Sequence, residues 1–279
     1  MKKKLVALAA AVATLALSAV MLAGCSGGGD AQSADSAATD GSVTLAVGFD
    51  QGYPPYGYVG DDGQFTGFDL ELAKAVCEKM GWELKLEPID WDAKDALIGS
   101  GTINCIWNGF TMENRENDYT FSEPYMYNEQ VVVVKKDSDA KKLEDLAGKT
   151  VLTQVDSAAL HVLEDEKGQK ALADTFKELQ TIGDYNNAFM QLESGMVDAV
   201  ACDLSIAQYQ MAAKPGIFRM LPEQLSSEHY AVAFKKGNDG LADQVTATLK
   251  EMDADGTVKE ICEKYSADGI SYENWCLGK

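Results

Sequence analysis

Glu129–Lys136, EQVVVVKK, and its counterpart His229–Lys236, HYAVAFKK, decide how this chain is organised. Each is a run of apolar, partly β-branched residues that closes on two lysines, and such runs read as strands. Between them the chain alternates strand and helix. Leu143–Val155 (LEDLAGKTVLTQV) is a helical turn with Gly148 leading into a strand, and a helix starts at Ala158. A strand near Lys177–Thr181, a helix over Asn186–Gly195, a strand at Val197–Cys202, a helix over Leu204–Ala213 and a strand at Ile217–Leu221 follow. A similar set precedes the first run. Ser42–Phe49 is a strand. Gly67–Gly81 is a helix that puts Leu72, Ala73, Val76 and Met80 on one face and stops at Gly81. Glu83–Pro88 alternates as a strand, Trp91–Gly101 is a short helix and Ile103–Trp107 is a buried strand. Helices over Leu241–Gly256 and Thr257–Tyr265 close the chain. Each βαβαβ order predicts a mostly parallel sheet with right-handed crossovers. Two such sets joined by two strands predict two lobes, residues 42–128 with 229–279 and residues 129–228, connected by a two-strand hinge. No repeat of solenoid period occurs.

The first residues belong to no lobe. Lys2, Lys3 and Lys4 precede a uniformly apolar stretch that ends in small residues, the layout of a secretory signal peptide. The stretch has the length of a membrane span, but Leu22-Ala23-Gly24-Cys25 resembles the lipobox of bacterial lipoproteins. That resemblance implies cleavage after residue 24, a lipid on the Cys25 sulfur, and export. Residues 25–41, rich in Gly, Ser, Ala and Asp, have nothing to bury and read as a flexible tether. The chain carries 24 basic against 44 acidic residues, a formal charge of −20, and losing the three leader lysines makes it more negative. Such a surface repels nucleic acid and anionic headgroups.

Beyond Cys25, five cysteines remain without a CxxC, which excludes a metal knuckle. Cys77, Cys105 and Cys202 sit in apolar runs as small core residues. Cys262 and Cys276 are close enough in sequence to bridge in an exported compartment, and the sequence leaves that state open. Glu251–Gly256 (EMDADG) lacks the closing Glu of a calcium loop. The two histidines, His161 and His229, are far apart and read as structural. No phosphate-binding glycine motif occurs, so no cofactor or metal is expected.

Four stretches, FDQGYPPYGY (49–58), GQFTGFDLELAKAV (63–76), NGFTMENR with YTFSEPY (108–125), and MVDAVACD (196–203), carry a resemblance to the solute-binding proteins of ABC importers for polar amino acids. It spans about residues 43–265. It implies a two-lobe periplasmic-binding-protein fold of type II, with the ligand in a cleft between the lobes.

The resemblance also implies roles. Gly109, Thr111 and Arg115 would hold the ligand carboxylate, for which a planar guanidinium is the natural partner, and Asn108 would join them in the ligand site. Three residues separate Thr111 from Arg115 where the family has four, so the turn must be tighter. The other reading of Arg115 is a solvated arginine beside Glu113 and Glu116. Asp203 would take the α-ammonium, or would cap the helix that follows it. Tyr53 and Trp91 would wall the ligand side chain, although Trp91 also fits a core position. Asp50 would meet the distal end of the ligand, favouring basic or amide side chains, or would cap the next turn. Gln154, Ser157 and Ala158 would close on the ligand from the second lobe. In that loop Asp156 stands where the family has glycine.

The expected function is therefore capture of a free amino acid by a monomeric, lipid-anchored protein, followed by delivery to an ABC permease driven by a separate ATPase. Two rivals are a cyclohexadienyl-dehydratase-like enzyme with Asp50 or Asp203 as general acid, and a sensor ectodomain, which would need a C-terminal membrane span.

Overall fold

A computed structural model describes residues 43–279; the signal peptide, Cys25 and the tether lie outside the described residues. The first strand, β1 (Thr44–Phe49), is buried along all but its first residue, as expected of a strand covered on both faces. Three short strands, β2 (Gly52–Tyr53), β3 (Gly57–Val59) and β4 (Phe65–Thr66), form a small antiparallel sheet. Helix α1 (Phe68–Met80) then buries Leu72, Ala73 and Val76, and ends at Gly81 in the left-handed region at φ 66°. Next come β5 (Glu83–Pro88), α2 (Lys94–Ser100), β6 (Cys105–Ile106) and β7 (Tyr119–Phe121). The ladder at β6 is shorter than the pattern Ile103–Trp107 predicts. The chain leaves it early because Gly109 is pulled into a turn.

The second half contains β8 (Met126–Lys135), β9 (Thr150–Gln154), α3 (Ala158–Glu164), α4 (Lys170–Ala173), β10 (Glu178–Ile182), α5 (Tyr185–Ser194) and β11 (Ala199–Asp203). It continues through α6 (Leu204–Ala213), β12 (Phe218–Met220) and β13 (Ser226–Tyr230). Strand β14 (Ala233–Lys235) and helices α7 (Asp239–Ala254) and α8 (Thr257–Lys264) follow, the helices packing against α1.

Two main sheets result, in the orders β5-β1-β6-β14-β7 and β10-β9-β11-β8-β12, with β13 also pairing β8. The βαβ parts are parallel, whereas every pairing of β8 and β14 is antiparallel. The sheets are thus mixed rather than mostly parallel. This is the two-lobe type II arrangement, with an interlobe cleft.

The two runs that open the sequence reading behave differently from each other. EQVVVVKK lies within β8 up to Lys135. HYAVAFKK is not one strand: Tyr230 ends β13 in the second sheet and Ala233 begins β14 in the first. The chain changes sheets through Ala231–Val232, and it does so a second time between β7 and β8. The two crossings run side by side as the two-strand hinge. Ser122 N donates to Val232 O (2.9 Å), Val232 N to Ser122 Oγ (3.0 Å), and Tyr125 N to Tyr230 O (2.9 Å). The C-terminal segment docks there, with Cys276 N donating to Tyr125 O at 2.9 Å and Trp275 fully buried.

Cys77, Cys105 and Cys202 are buried as expected. Cys262 and Cys276 are free thiols rather than a bridge. Among the described residues no helix is long and apolar enough to cross a membrane.

Candidate functional site

Trp107–Arg115 builds one wall of the cleft. Gly109 stands at φ 57°, and a Cβ there would lie 3.1–3.3 Å from the rings of Tyr230, Tyr53 and Tyr56; only glycine fits both the dihedral and the space. The Gly109 amide does not point into the cavity but donates to Asp69 Oδ2 at 2.6 Å. Asp69 is fully buried on α1 and also accepts from Tyr125 Oη at 2.8 Å. Burial outweighs these hydrogen bonds and raises its pKa to about 7.

The expected tight turn is present. Arg115 N donates to Met112 O at 3.1 Å, and Asn114 takes φ 67°, a conformation asparagine tolerates. That turn carries Arg115 inward, where it is only 6% exposed. Its guanidinium lies over the Phe110 ring at 4.6 Å and donates to Thr111 O at 3.1 Å and Asp156 O at 3.3 Å. The surface reading of Arg115 is therefore excluded. Glu113 instead pairs with His229.

The facing wall starts at the end of β9. Asp156 adopts φ 54°, so the loop keeps a glycine-like backbone with an aspartate in it. Its carboxylate pairs with Lys94, whose side chain is 2% exposed, and with His161 at 3.0 Å. The His161 ring first, then the Lys94 ammonium, hold the Asp156 carboxyl well below the usual range, against the opposing effect of burial. The Asp156 carbonyl also accepts from Trp91 Nε1 at 3.3 Å. Ser157 caps α3, its hydroxyl accepting from Leu160 N at 3.1 Å.

Asp203 ends β11 at the position preceding α6, yet its side chain does not cap that helix. Its Oδ1 accepts from Gln130 Nε2 (2.6 Å), Tyr230 Oη (2.7 Å) and Asn128 Nδ2 (3.0 Å). Burial raises its pKa. Three donors hold the carboxylate in place, but no cation pairs with it among the described residues.

One cavity of about 290 Å³, mouth included, gathers Tyr53, Trp91, Asn108, Gly109, Thr111, Arg115, Gln154, Ser157, Ala158 and Asp203, together with Phe110. Asp50 is the sequence-predicted residue that does not line it. Its carboxylate accepts from Gly52 N and from Gln154 Nε2, each at 2.7 Å, so it caps its turn and bridges the lobes behind the cavity wall. The profile of the bacterial extracellular solute-binding proteins, family 3, matches residues 45–268. The chain belongs to this family.

Among curated relatives, this solute-binding protein is 30% identical to the L-cystine-binding protein TcyJ of Escherichia coli (strain K12), over 80% of this chain and 82% of that one. It is 28% identical to the arginine-binding extracellular protein ArtP of Bacillus subtilis (strain 168), over 95% and 98%. Among solved structures it resembles an ABC uptake transporter substrate-binding protein from Streptococcus pneumoniae with bound histidine. That match has a TM-score of 0.77 and 31% identity, and it covers 82% of this chain and 94% of the other.

Sequence reasoning missed several residues of this solute-binding protein's cleft. Phe110 lines the cavity and carries Arg115. Asp69 fixes Gly109, and Glu228 (3% exposed) accepts from the Thr111 hydroxyl at 2.8 Å, turning that hydroxyl toward itself. Asn128 and Gln130 supply the donors to Asp203. A signal for three of them existed. Asp69 falls on the apolar stripe of α1, with Leu72, Ala73 and Val76, and Asn128 and Gln130 are in phase with Met126 on a strand that buries alternate residues.

Proposed function

We propose that this protein captures a free polar amino acid between its lobes, residues 42–128 with 229–279 and residues 129–228, and presents it to the permease of an ABC importer. One observation carries the reading: Arg115 and Asp203 line the same cavity from different lobes. A fixed guanidinium and a fixed carboxylate facing one small space suit the carboxylate and ammonium of one zwitterion. Relatives named for cystine and arginine, and a structural neighbour holding histidine, support the class. Tyr53, Trp91 and Phe110 supply flat apolar surface for the side chain. The charge of Asp50, set behind Gln154, favours basic or amide side chains. The protein acts as a binder rather than an enzyme. It is held outside the cytoplasmic membrane by the lipid on Cys25, works as a monomer, and relies on an ATPase it does not itself contact.

The test is a thermal-shift screen of refolded residues 26–279 against the twenty amino acids, cystine, ornithine, sugars and cyclic acids. A ligand at a hundred times its Kd adds about 2.7 kcal/mol of stability. A large shift with one or two polar amino acids supports the reading. A shift with a cyclic acid alone would replace it by the dehydratase alternative.

A further inference from the structure

Asp203 is not the only carboxylate at its end of the cleft. Glu228, on β13, reaches the same two amide groups on β8. Asn128 Nδ2 lies 3.0 Å from Asp203 Oδ1 and 2.9 Å from Glu228 Oε1. Gln130 Nε2 lies 2.6 Å from the first and 2.8 Å from the second. An amide nitrogen has two hydrogens, and here each carboxylate takes one from each amide. The strand register produces this arrangement: Asp203 on β11 and Ser226 on β13 both stand opposite Gln130 on β8, and Glu228 stands opposite Asn128.

The groups around the pair are neutral. Asp203 faces the phenols of Tyr53, Tyr185 and Tyr230 and adjoins Cys202, while Glu228 faces the hydroxyl of Thr111. Among the described residues no Lys, Arg or His bonds to either carboxylate. Gln130 Oε1, on the same amide as one shared donor, is buried without a partner. Two buried carboxylates that share donors and have no cation do not both stay ionised. Burial, and then the Asp203 charge, raise Glu228 to about pH 7.

We infer that Glu228 is a positioning residue of the ammonium site, and that it shares with Asp203 a proton which an arriving ligand ammonium displaces. In the empty cleft the pair carries one negative charge. When the ammonium settles on Asp203, its positive charge replaces that of the proton, which leaves to solvent, and both carboxylates are then ionised. Well below pH 7 binding therefore releases close to one proton per ligand, and affinity tightens as pH rises, by close to tenfold per pH unit there and by less as 7 is approached. This rests on the amino-acid reading above.

The experiment has a ligand-free arm and a ligand arm. Infrared spectra of the refolded, empty protein at pH 6 should show the C=O band of a protonated carboxylic acid. Glu228→Gln, which keeps the side-chain shape and an acceptor for Thr111, should lose the pair's share of that band and keep only that of Asp69, which is itself raised to about 7. No such band, or one unchanged in Glu228→Gln, overturns the shared proton. For the ligand arm, L-arginine, L-histidine, L-glutamine and L-cystine are titrated by calorimetry in buffers of different ionisation enthalpy. Whichever binds should release close to one proton from the wild type and almost none from Glu228→Gln, whose Kd should be flat between pH 6 and 7. Binding with no proton release in the wild type, or equal release in both, overturns the displacement. If none of the four binds, the amino-acid reading and the displacement fall together, and the infrared band then decides the shared proton by itself.

Discussion

Replacing Asp156 by Asn tests whether the lobes are latched through that residue. The substitution keeps the size, the tolerance for φ 54° and the backbone carbonyl that receives Trp91 and Arg115; it removes the charge that faces Lys94 across the cleft and His161 within the same lobe. Lys94 lies in the first lobe and Asp156 in the second, so any opening of the cleft breaks their pair. Deleting one partner of a fully buried ion pair costs about 3–5 kcal/mol. Here Lys94 is 2% exposed but Asp156 is 35% exposed, and water at the exposed partner reduces the cost to about 1–2 kcal/mol. Because the loss falls on the closed form alone, Kd for the amino acid should rise about five- to thirtyfold. The melting temperature of the open, empty protein should barely move. Calorimetry supplies Kd, and small-angle scattering reports the balance of open and closed forms. Lys94→Met combined with Asp156→Asn should recover part of the loss, because no charge is then left buried and unpaired. An unchanged Kd in Asp156→Asn, with no coupling in the double mutant, would refute the latch. A fall in stability of the empty protein as large as the loss of affinity would instead assign the pair to the fold.

Arg115→Lys keeps a charge but loses the planar fork and its stacking on Phe110; it should weaken binding by about 2 kcal/mol, roughly thirtyfold by calorimetry. Asp203→Asn leaves an acceptor for Gln130, Asn128 and Tyr230, and it removes a buried carboxylate that has no cation. Binding should fall about ten- to a hundredfold while the empty protein melts no lower than the wild type. Stability should also depend on pH. Folding raises Asp69 from 3.8 and Glu228 from 4.5, both to about 7, so between those limits the folded chain binds more protons than the unfolded one. Stability of the empty protein therefore falls as pH rises from about 4 to about 7. Urea unfolding at pH 5 and pH 8 measures the fall, and Asp69→Asn should shrink it.

Much of this was legible in the sequence, for identifiable reasons. Strand and helix periods placed the βαβ units, because burial imposes period 2 or 3.6 on the side chains themselves. That Gly109 and Arg115 face the cleft was implied by the resemblance of NGFTMENR to the family, although the Gly109 amide goes to Asp69 rather than into the cavity. The split of HYAVAFKK was not legible. Nothing in its composition distinguishes Ala231–Val232 from a strand interior, and only the partners of Tyr230 and Ala233, far away in sequence, place them in different sheets. Asp50 shows a similar limit. Its proximity to the turn was readable, but its bond to Gln154 depends on how two lobes meet. Glu228 was passed over because a lone Glu next to a strand reads as solvated until Asn128 is seen opposite it and Gln130 within hydrogen-bond distance.

The cleft joins two ends whose charges are unbalanced in opposite ways. At one end, Arg115 spends its mapped hydrogen bonds on two backbone carbonyls, which are neutral. At the other, Asp203 and Glu228 hold negative charge among amide and hydroxyl donors. The cleft residues cannot neutralise one another, because Arg115 bonds to neither carboxylate. Closing the lobes with nothing between them therefore buries both imbalances, which the latch at Asp156 and the bridge from Asp50 to Gln154 must offset. A zwitterion satisfies both ends at once, whereas a simple cation or anion satisfies one and leaves the other buried. On the proposed reading, selectivity for the amino-acid class follows from the cost of closing on anything else. On the same reading, the choice among side chains falls to Tyr53, Trp91, Phe110 and Gln154, which line the cavity.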